Sequence, residues 1–350
     1  DMGDNLLSLA LGAGFVPVKI ACGSGHTCAL SESNQVKCWG MGQYGQLGYG
    51  DTNGKTDAAV VGTLSFYAGF DPVDIAVGTH HSCALSSNGD ATCWGVNNHG
   101  QLGCGALQLS GTCTGIVFDP QSNSPLHLNA VQICGGAAHT CALSSDGKIK
   151  CFGKNEVYGR LGLGTNAAEV RSPTNTVNLG NGFYAIAIAC GGDHNCALSS
   201  DNRIKCWGQN TAGQLGYGDT RHRGASSSDM GDSLPVVDLG TNFSPKEVKC
   251  GLYHTCAVST ADELKCFGAN YVGQLGYGDT LLRGSAPNQM GENLQVVDIR
   301  CPTPEPTASP SASPTKAPTK SPTGAPTASP SDSPTAPPSA SHPKALTESQ

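Results

Sequence analysis

Cysteine and histidine are the residues of this 350-residue chain whose types and spacing could do chemistry. Near its start, Cys22, His26, Cys28 and Cys38 stand close together, and the whole chain holds 17 cysteines and 10 histidines. Thiolate sulfur and imidazole nitrogen are ligands of structural zinc sites. Two cysteines that face each other across a β-hairpin could instead form a disulfide. One repeat alone leaves both chemistries open.

The spacing of ten residues between Cys28 and Cys38 recurs five times, and each second cysteine is followed by an aromatic residue and a glycine. Four copies continue into Gly-Gln-Leu-Gly, and the third continues into Gly-Arg-Leu-Gly at Gly159. A period of roughly 55 to 60 residues is typical of repeat architectures. The five pairs are Cys28 and Cys38, Cys83 and Cys93, Cys141 and Cys151, Cys196 and Cys206, and Cys256 and Cys266.

Each repeat is predicted to consist of short β-strands. Runs such as residues 18–21 and 36–39 have β-type composition, glycine and Asn/Asp turns separate them, and no helical periodicity occurs. Each hairpin carries a residue that tolerates positive φ, which predicts a three-residue loop with a left-handed last position. These residues are Asn34, Gly89, Gly147, Asn202 and Asp262. In that register the paired cysteines face each other, and repeated antiparallel units of this size favour a β-propeller.

The second repeat favours disulfides over zinc. Val77 occupies the position of the first cysteine there, whereas Cys83 and Cys93 remain. A zinc site that lacks one thiolate should be compensated, but a cross-strand disulfide needs only its own two cysteines. Facing residues of a hairpin have Cβ atoms roughly 4.5–5.5 Å apart, which is close to disulfide geometry. Five hairpin disulfides are therefore predicted, with repeated zinc sites and reduced thiols as alternatives.

The remaining cysteines receive separate predictions. Because Val77 replaces one first cysteine, that position takes a small apolar group, which predicts buried free thiols. These first cysteines are Cys22, Cys134, Cys190 and Cys250. Cys104 and Cys113 flank an insertion in the second repeat and are predicted to close it as a disulfide. Cys301 has no deducible partner, and because the total is odd, at least one cysteine is free or pairs outside this chain.

The recurring histidines and aromatic residues are predicted to be structural. A histidine precedes the first cysteine of every hairpin, whereas a catalytic histidine normally appears once. We expect each histidine to bond a neighbouring backbone carbonyl, and we expect the aromatic-glycine pairs to serve packing. The structural set is His26, His81, His139, His194, His254, Trp39, Trp94 and Trp207.

No catalytic, cofactor-binding or metal residue is predicted. The sequence shows no serine-histidine-acid set, phosphate loop or isolated carboxylate pair above the background of the repeat. Residues 51–54 resemble a calcium loop only weakly, because the remaining ligand spacing is absent. Asp219 and Asp279 stand at the same position in later repeats, which identifies the segment as a repeat turn.

Composition and charge disfavour two classes of function. The formal net charge is −7, and all of the excess lies outside the last fifty residues, so the chain lacks the basic balance of a nucleic-acid binder. No run approaches the ~18 apolar residues that a membrane helix needs. The abundance of cysteine indicates an oxidising compartment or metal. Residues 1–6 nearly repeat residues 229–234, so we interpret the start as repeat and expect a mature protein or a fragment.

Residues 302–350 are predicted to be disordered, because Pro, Ser, Thr and Ala supply most positions. Dense proline favours polyproline II at ~3.1 Å per residue, so this tail could reach on the order of 150 Å. Serine and threonine beside proline favour an O-glycosylated, mucin-like stalk. An unmodified flexible linker is the alternative.

The motifs of the first repeat, at residues 20–30, 36–40 and 45–52, resemble the regulator of chromosome condensation repeat, and the resemblance covers about residues 1–300. It implies propeller blades of four antiparallel strands. The repeats are placed at about 1–52, 53–107, 108–165, 166–220 and 221–280, with a partial copy at 281–301. Propellers of this family usually have seven blades, so five complete repeats imply a fragment, an open arc or an atypical ring. The paired cysteines are a second departure, since cytosolic relatives do not need them.

Three classes of function follow. The favoured one is a non-catalytic extracellular or cell-surface propeller that binds a protein or glycan through loops at residues 107–123 and 220–233. The resemblance implies the alternative of guanine-nucleotide exchange on a small GTPase beside chromatin, which the disulfides, the acidic charge and the stalk disfavour. An enzyme lacks a unique constellation of residues. We therefore predict no cofactor, no nucleic-acid partner and no membrane span.

Overall fold

The computed structural model describes residues 8–104, 116–117, 120 and 126–299. Apart from β-strands and turns, these residues form only 3-10 helices of three residues each, at Glu156–Tyr158, Ser227–Asp229, Gly231–Ser233 and Gly291–Asn293. The described part of the chain contains no helix long and apolar enough to cross a membrane. The predicted all-β fold is confirmed.

Five antiparallel sheets follow one another along the chain, and we call them blades 1 to 5. In each blade the three regular strands are neighbours in the sheet in the order in which the chain forms them. The strands are β1 (Pro17–Cys22), β2 (His26–Ser31) and β3 (Val36–Gly40) in blade 1; β4 (Pro72–Val77), β5 (His81–Ser86), β6 (Asp90–Val96), β7 (Ile116–Val117) and β8 (Leu126–His127) in blade 2; β9 (Ala130–Gly135), β10 (His139–Ser144), β11 (Ile149–Lys154) and β12 (Glu169–Val170) in blade 3; β13 (Ala185–Cys190), β14 (His194–Ser199) and β15 (Ile204–Gly208) in blade 4; and β16 (Pro245–Cys250), β17 (His254–Ser259) and β18 (Leu264–Gly268) in blade 5.

The fourth strand that the resemblance implies is short. It is a two-residue strand in blades 2 and 3, and in blade 1 it is reduced to one bridge between Gly40 and Lys55. The hairpin before it turns as predicted, because Asn34 has a φ of 59° and Gly89 a φ of 84°. This left-handed last position brings the second and third strands of each blade into cysteine-to-cysteine register.

The hydrophobic core lies between successive blades. Ile75 of β4 is 2% exposed, whereas Val73, at the irregularity between Pro72 and Asp74 of the same strand, is 44% exposed. One buried cluster joins blades 1 to 3, a second joins blades 3 and 4, and a third joins blades 4 and 5. The predicted tail at 302–350 and the boundary before it lie outside the described residues, so the proposed division into repeats and tail stays a prediction.

Candidate functional site: the cysteine and histidine network between blades

Five disulfides join the second and third strands of the blades, as the sequence predicts. Cys28 lies opposite Cys38 in the hairpin register, and their Cα atoms are 4.1 Å apart. The other four hairpins repeat this arrangement with Cα separations of 4.0 or 4.1 Å. The eight hairpin cysteines of blades 1 to 4 are buried between blades. In blade 5 Cys266 is buried and Cys256 is half-buried. Cys113 lies outside the described residues, so its pairing with Cys104 stays a prediction.

The prediction of free thiols is wrong for Cys134 and Cys190, which form a disulfide between blades 3 and 4 with a Cα separation of 5.6 Å. The cause is a shift of one residue. Cys134 is the sheet partner of the hairpin cysteine Cys141, whereas Cys190 is the partner of Asn195, the residue before the hairpin cysteine. Because successive side chains of a strand point to opposite faces, Cys134 points forward to blade 4 and Cys190 points back to blade 3.

Cys22 and Cys250 are free cysteines. Cys250 points back to blade 4, where its Sγ lies 3.6 Å from the carbonyl oxygen of Ala189, the residue that corresponds to Cys134. Burial raises the pKa of the Cys250 thiol to about 12. Cys22 is exposed, which differs from the predicted burial, because no described blade covers that face of β1.

Four motif histidines contact the next blade through a two-step hydrogen-bond relay. The Nε2 atom of His26 lies 2.9 Å from the Ser82 hydroxyl of blade 2, and that hydroxyl donates to the Gln46 carbonyl of blade 1 at 2.8 Å. We expected a direct bond to a carbonyl, but a side chain of the next blade stands between the two groups. The other relays are His81, Thr140 and Gln101; His139, Asn195 and Arg160; and His194, Thr255 and Gln214.

The relay determines the tautomer of each imidazole. Since the Ser82 hydroxyl gives its proton to a carbonyl, it accepts a hydrogen bond from the Nε2–H of His26. Asn195 shows the same direction, because its Nδ2 donates to a carbonyl and its Oδ1 lies 2.8 Å from His139 Nε2. The second ring nitrogen, Nδ1, is buried without a hydrogen-bond partner in all four histidines. Each imidazole is therefore neutral, with its proton on Nε2.

Burial keeps these histidines uncharged to low pH. It lowers the pKa of His26 and His139 to about 4 and the pKa of His81 and His194 to about 3. A general acid or base that works near neutral pH needs a pKa close to that pH. The four imidazoles therefore act as neutral hydrogen-bond donors between blades, and their assignment as purely structural residues stays a prediction.

The motif aromatic rings close the same interfaces. Trp94 donates its Nε1–H to the Gln46 carbonyl at 3.0 Å and lies against Gly48, where an added Cβ would come within 2.7 Å of the indole nitrogen. Trp207 covers Gly162 in the same way. The last glycine of the Gly-Gln-Leu-Gly motif is therefore required by the aromatic ring of the next blade.

Two groups of histidine and cysteine in the described part of the chain could hold a metal ion by distance alone, since their ligand atoms lie within 4.8 Å of one another. The groups are His139, Cys141 and Cys190, and His194, Cys196 and Cys250. Zinc binds thiolate sulfur, but the disulfides occupy both sulfur atoms of the first group and one of the second. The oxidised chain therefore offers at most one thiol to either group.

The aspartates of the repeat turns are bound by basic residues of their own blades. Arg283 donates to both carboxylate oxygens of Asp279, at 3.0 and 2.8 Å, and its guanidinium lies 3.9 Å from the ring centroid of Tyr277. The hydrogen bond from Arg283 holds the pKa of Asp279 at about 2. Asp51 pairs with Lys55 in blade 1 at 2.9 Å. These contacts agree with the interpretation of the segment as a repeat turn.

Two recurring braces were missed from the sequence. The Tyr217 hydroxyl accepts from the backbone N–H of Cys206 at 2.8 Å, and Tyr277 does the same for Cys266 at 3.1 Å. Lys205 is buried and donates its ammonium to the Leu179 carbonyl at 2.7 Å. The recurrence of Gly-Tyr-Gly-Asp, and of a lysine before the second hairpin cysteine, could have indicated these two contacts from the sequence.

The predicted partner-binding loops are described in part. Of residues 107–123, only 116–117 and 120 are described. In the segment 220–233, Arg221 is paired with Asp229, and the ring of His222 lies 4.8 Å from the ring of Tyr158 in blade 3. Next to Tyr158, Val157 is 71% exposed. Residues 157–158 and 221–222 therefore form one continuous surface, which we call the loop surface.

Known proteins share this architecture. The family model of the regulator of chromosome condensation (RCC1) repeat matches residues 34–85, 88–143, 146–198 and 201–258, and a second model of that repeat matches 18–46, 73–101, 130–160, 185–214 and 246–274. The ultraviolet-B receptor UVR8 of Arabidopsis thaliana is 30% identical over 266 residues, which are 76% of this chain and 56% of the receptor. The probable E3 ubiquitin-protein ligase HERC6 of Homo sapiens is 31% identical over 254 residues, 71% of this chain and 23% of the ligase.

Solved structures show the same fold. Human WBSCR16 superimposes with a TM-score of 0.65 at 22% identity, over 80% of this chain and 67% of that protein. Prp20p of Saccharomyces cerevisiae, described with its binding properties to Gsp1p and histones, superimposes with a TM-score of 0.61 at 20% identity, over 80% of this chain and 63% of Prp20p. At this identity the likeness shows the fold alone.

Proposed function

This chain belongs to the regulator of chromosome condensation repeat family, and on that premise we propose that it is a non-catalytic binding propeller that works outside the cell or at its surface. It spans about half the length of the ultraviolet-B receptor and under a quarter of HERC6, so their activities do not transfer with the repeat. The observation that carries the proposal is the set of five hairpin disulfides.

The disulfides support an oxidising compartment because of where they lie. In four of the five hairpins both cysteines are buried in the core between blades, and Cys266 of the fifth is buried as well. Cytosolic thiols are normally kept reduced, whereas disulfides persist in secreted and surface proteins. Five such bonds in equivalent positions therefore support an extracellular place of work.

The use of the titratable side chains supports a non-catalytic role. Four of the five motif histidines bond to the next blade, and the Asp219 and Asp279 carboxylates bind arginines of their own blades. In the two groups of three potential metal ligands among the described residues, every cysteine except Cys250 is bonded in a disulfide. These histidines, aspartates and cysteines therefore form bonds within and between the blades, which supports a structural use of their side chains.

The loop surface is the proposed contact for a protein partner. It combines the exposed apolar Val157 with Arg221, whose side chain is 65% exposed. Arginine and aromatic residues are enriched in protein interfaces. A glycan ligand remains the alternative for the same surface.

The second candidate, nucleotide exchange on a small GTPase beside chromatin, rests on the family and on Prp20p, which binds Gsp1p and histones. The net charge of −7 opposes it, because an acidic propeller gains no long-range attraction to chromatin phosphates. We expect the oxidised protein to leave the release of fluorescent GDP from such a GTPase unchanged. An exchange-active relative is the positive control. Strong acceleration at micromolar protein would restore this candidate.

The compartment has its own test. The protein is isolated from its natural source with free thiols alkylated at lysis, and its peptides are mapped without reduction. We expect Cys28–Cys38 and its four counterparts to be recovered as disulfides. Recovery of these ten cysteines in alkylated form would contradict the extracellular proposal.

A further inference from the structure

The four interfaces between successive blades share one set of buried positions. In each of them the motif histidine of the earlier blade is buried, and so is the relay residue of the later blade, such as Ser82. The motif aromatic residue of the later blade, such as Trp94, is fully buried as well. Blade 5 has no described blade after it and blade 1 has none before it, so the same positions are less buried there.

Blade 5 exposes the face that a following blade covers in blades 1 to 4. His254 is half-buried, whereas the other four motif histidines are at most 3% exposed. Cys256 and Gln274 are also only partly buried, and Val272 is 85% exposed. We call these four residues the open trailing face.

Blade 1 exposes the opposite face, which we call the open leading face and which consists of Ile20, Cys22, Thr27 and Trp39. Ile20 is 61% exposed, whereas Ile75 at the same position of blade 2 is 2% exposed. Thr27 and Trp39 are half-buried, and Cys22 is exposed. Each of these side chains therefore lacks the cover that its counterparts have.

Residues 8–11 lie where the outermost strand of a preceding blade would run. Lys37 donates to the Leu11 carbonyl at 2.7 Å, as Lys205 does to the corresponding carbonyl at the start of blade 4. Val177 stands two residues before that carbonyl, is 5% exposed, and donates its N–H to β11 at 2.8 Å. Leu9, the counterpart of Val177, is 62% exposed. The segment therefore has the position of a strand whose partner strand is not among the described residues.

Propellers of this family usually have seven blades, and a further repeat of this type in the same polypeptide would cover the open leading face. We propose that Cys22 forms an inter-blade disulfide with a cysteine of that repeat. The bond is the equivalent of Cys134–Cys190, because Cys22 and Cys190 each stand four residues before their motif histidine and point back to the preceding blade. The partner cysteine stands five residues before its own histidine, as Cys134 does before His139. The same polypeptide is the source because residues 8–11 already supply the outer strand of that blade.

The bond forms by thiol–disulfide exchange with a low-molecular-weight disulfide or a disulfide-donating oxidoreductase. The Cys22 thiolate attacks the donor and releases one donor thiol, and the partner thiolate then displaces the second. Two protein thiols are oxidised and one donor disulfide is reduced. This step rests on the proposed extracellular function, because it needs an oxidising compartment.

The test uses the protein from its natural source, with free thiols alkylated in denaturant and peptides mapped without reduction. We expect the Cys22 peptide joined to a peptide whose cysteine stands five residues before a histidine. We expect Cys250, which faces Ala189, to carry the alkyl label as the internal control. Intact mass should not fall on reduction by the mass of a second chain.

Three outcomes would overturn the proposal: Cys22 recovered with the label, Cys22 joined to Cys301 or Cys250, or Cys22 joined to a separate chain, a second copy included. If the hairpin disulfides are intact while Cys22 is labelled, only this inference fails. If the hairpin cysteines are labelled too, the extracellular function fails with it.

Discussion

A displacement of one residue along a strand decides which cysteines of this protein meet. Cys134 and Cys190 are both first cysteines of their repeats, but one is the sheet partner of the hairpin cysteine and the other is one position further along. Because successive side chains of a strand point to opposite faces, the two cysteines point toward different neighbouring blades. The resulting rule is that a cysteine at the forward position of one blade meets a cysteine at the backward position of the next blade.

The rule predicts a new disulfide in blades 4 and 5. Ala189 occupies the forward position and Cys250 the backward position, and the Cys250 sulfur already lies beside the Ala189 carbonyl. Ala189→Cys should therefore form a disulfide with Cys250 during oxidative folding and stabilise the chain by roughly 2–4 kcal/mol. Peptide mapping and urea unfolding measure both effects. Ala189→Cys combined with Cys250→Ser is the matched control, and free thiols at both positions in the single variant would refute the rule.

At the scale of the element, blades adhere through a small polar unit embedded in an apolar interface. The histidine and the carbonyl of one blade hold the side chain of the next blade between them, as His194 and Gln214 hold Thr255. All members of the unit are buried. A buried donor that loses its partner costs about 1–3 kcal/mol, so this unit also selects the correct register between blades.

Removing the middle member of the relay should weaken the interface between blades 4 and 5. Thr255→Val keeps the side-chain volume but leaves the Nε2–H of His194 without an acceptor, so the free energy of unfolding should fall by about 1–3 kcal/mol. Both variants are made in the 350-residue chain, where Thr27→Val is the matched control, because the same position of blade 1 is half-buried and faces no described histidine. Its effect should stay within about 0.5 kcal/mol. Chemical denaturation measures both, and equal losses would contradict the relay.

At the scale of the whole molecule, the propeller carries one neutral buried histidine in each described interface between blades. The unfolded chain binds a proton at each of these imidazoles below its ordinary pKa of about 6.5. The folded chain does so only near pH 3 to 4, because burial lowers these pKa values. Between those limits the unfolded state binds more protons, so stability is complete above about pH 6.5 and is lost as the pH falls.

Acid should therefore destabilise the propeller before its carboxylates titrate. Each relay histidine contributes up to about 1.4 kcal/mol per pH unit between roughly pH 6 and 4. Urea unfolding at pH 7.5, 6 and 5 measures the slope. His81→Gln should be less stable at pH 7.5 and show a smaller loss on acidification, whereas His254→Gln, at the half-buried position, should keep most of the original slope. Equal stability at pH 7.5 and 5 would contradict the assignment of neutral buried histidines.

Local spacing was enough to predict the hairpin disulfides, the left-handed loop residues and the all-β propeller. Cys28 and Cys38 meet because ten residues and one turn bring them together, and Asn34 supplies the positive φ. The pairing of Cys134 with Cys190, the relay of His26 with Ser82 and the exposure of Cys22 depended on the tertiary structure. Cys134 and His26 meet residues of the next blade, and no described blade covers Cys22. Strand register and the stacking of blades decide these contacts, and distance along the chain does not.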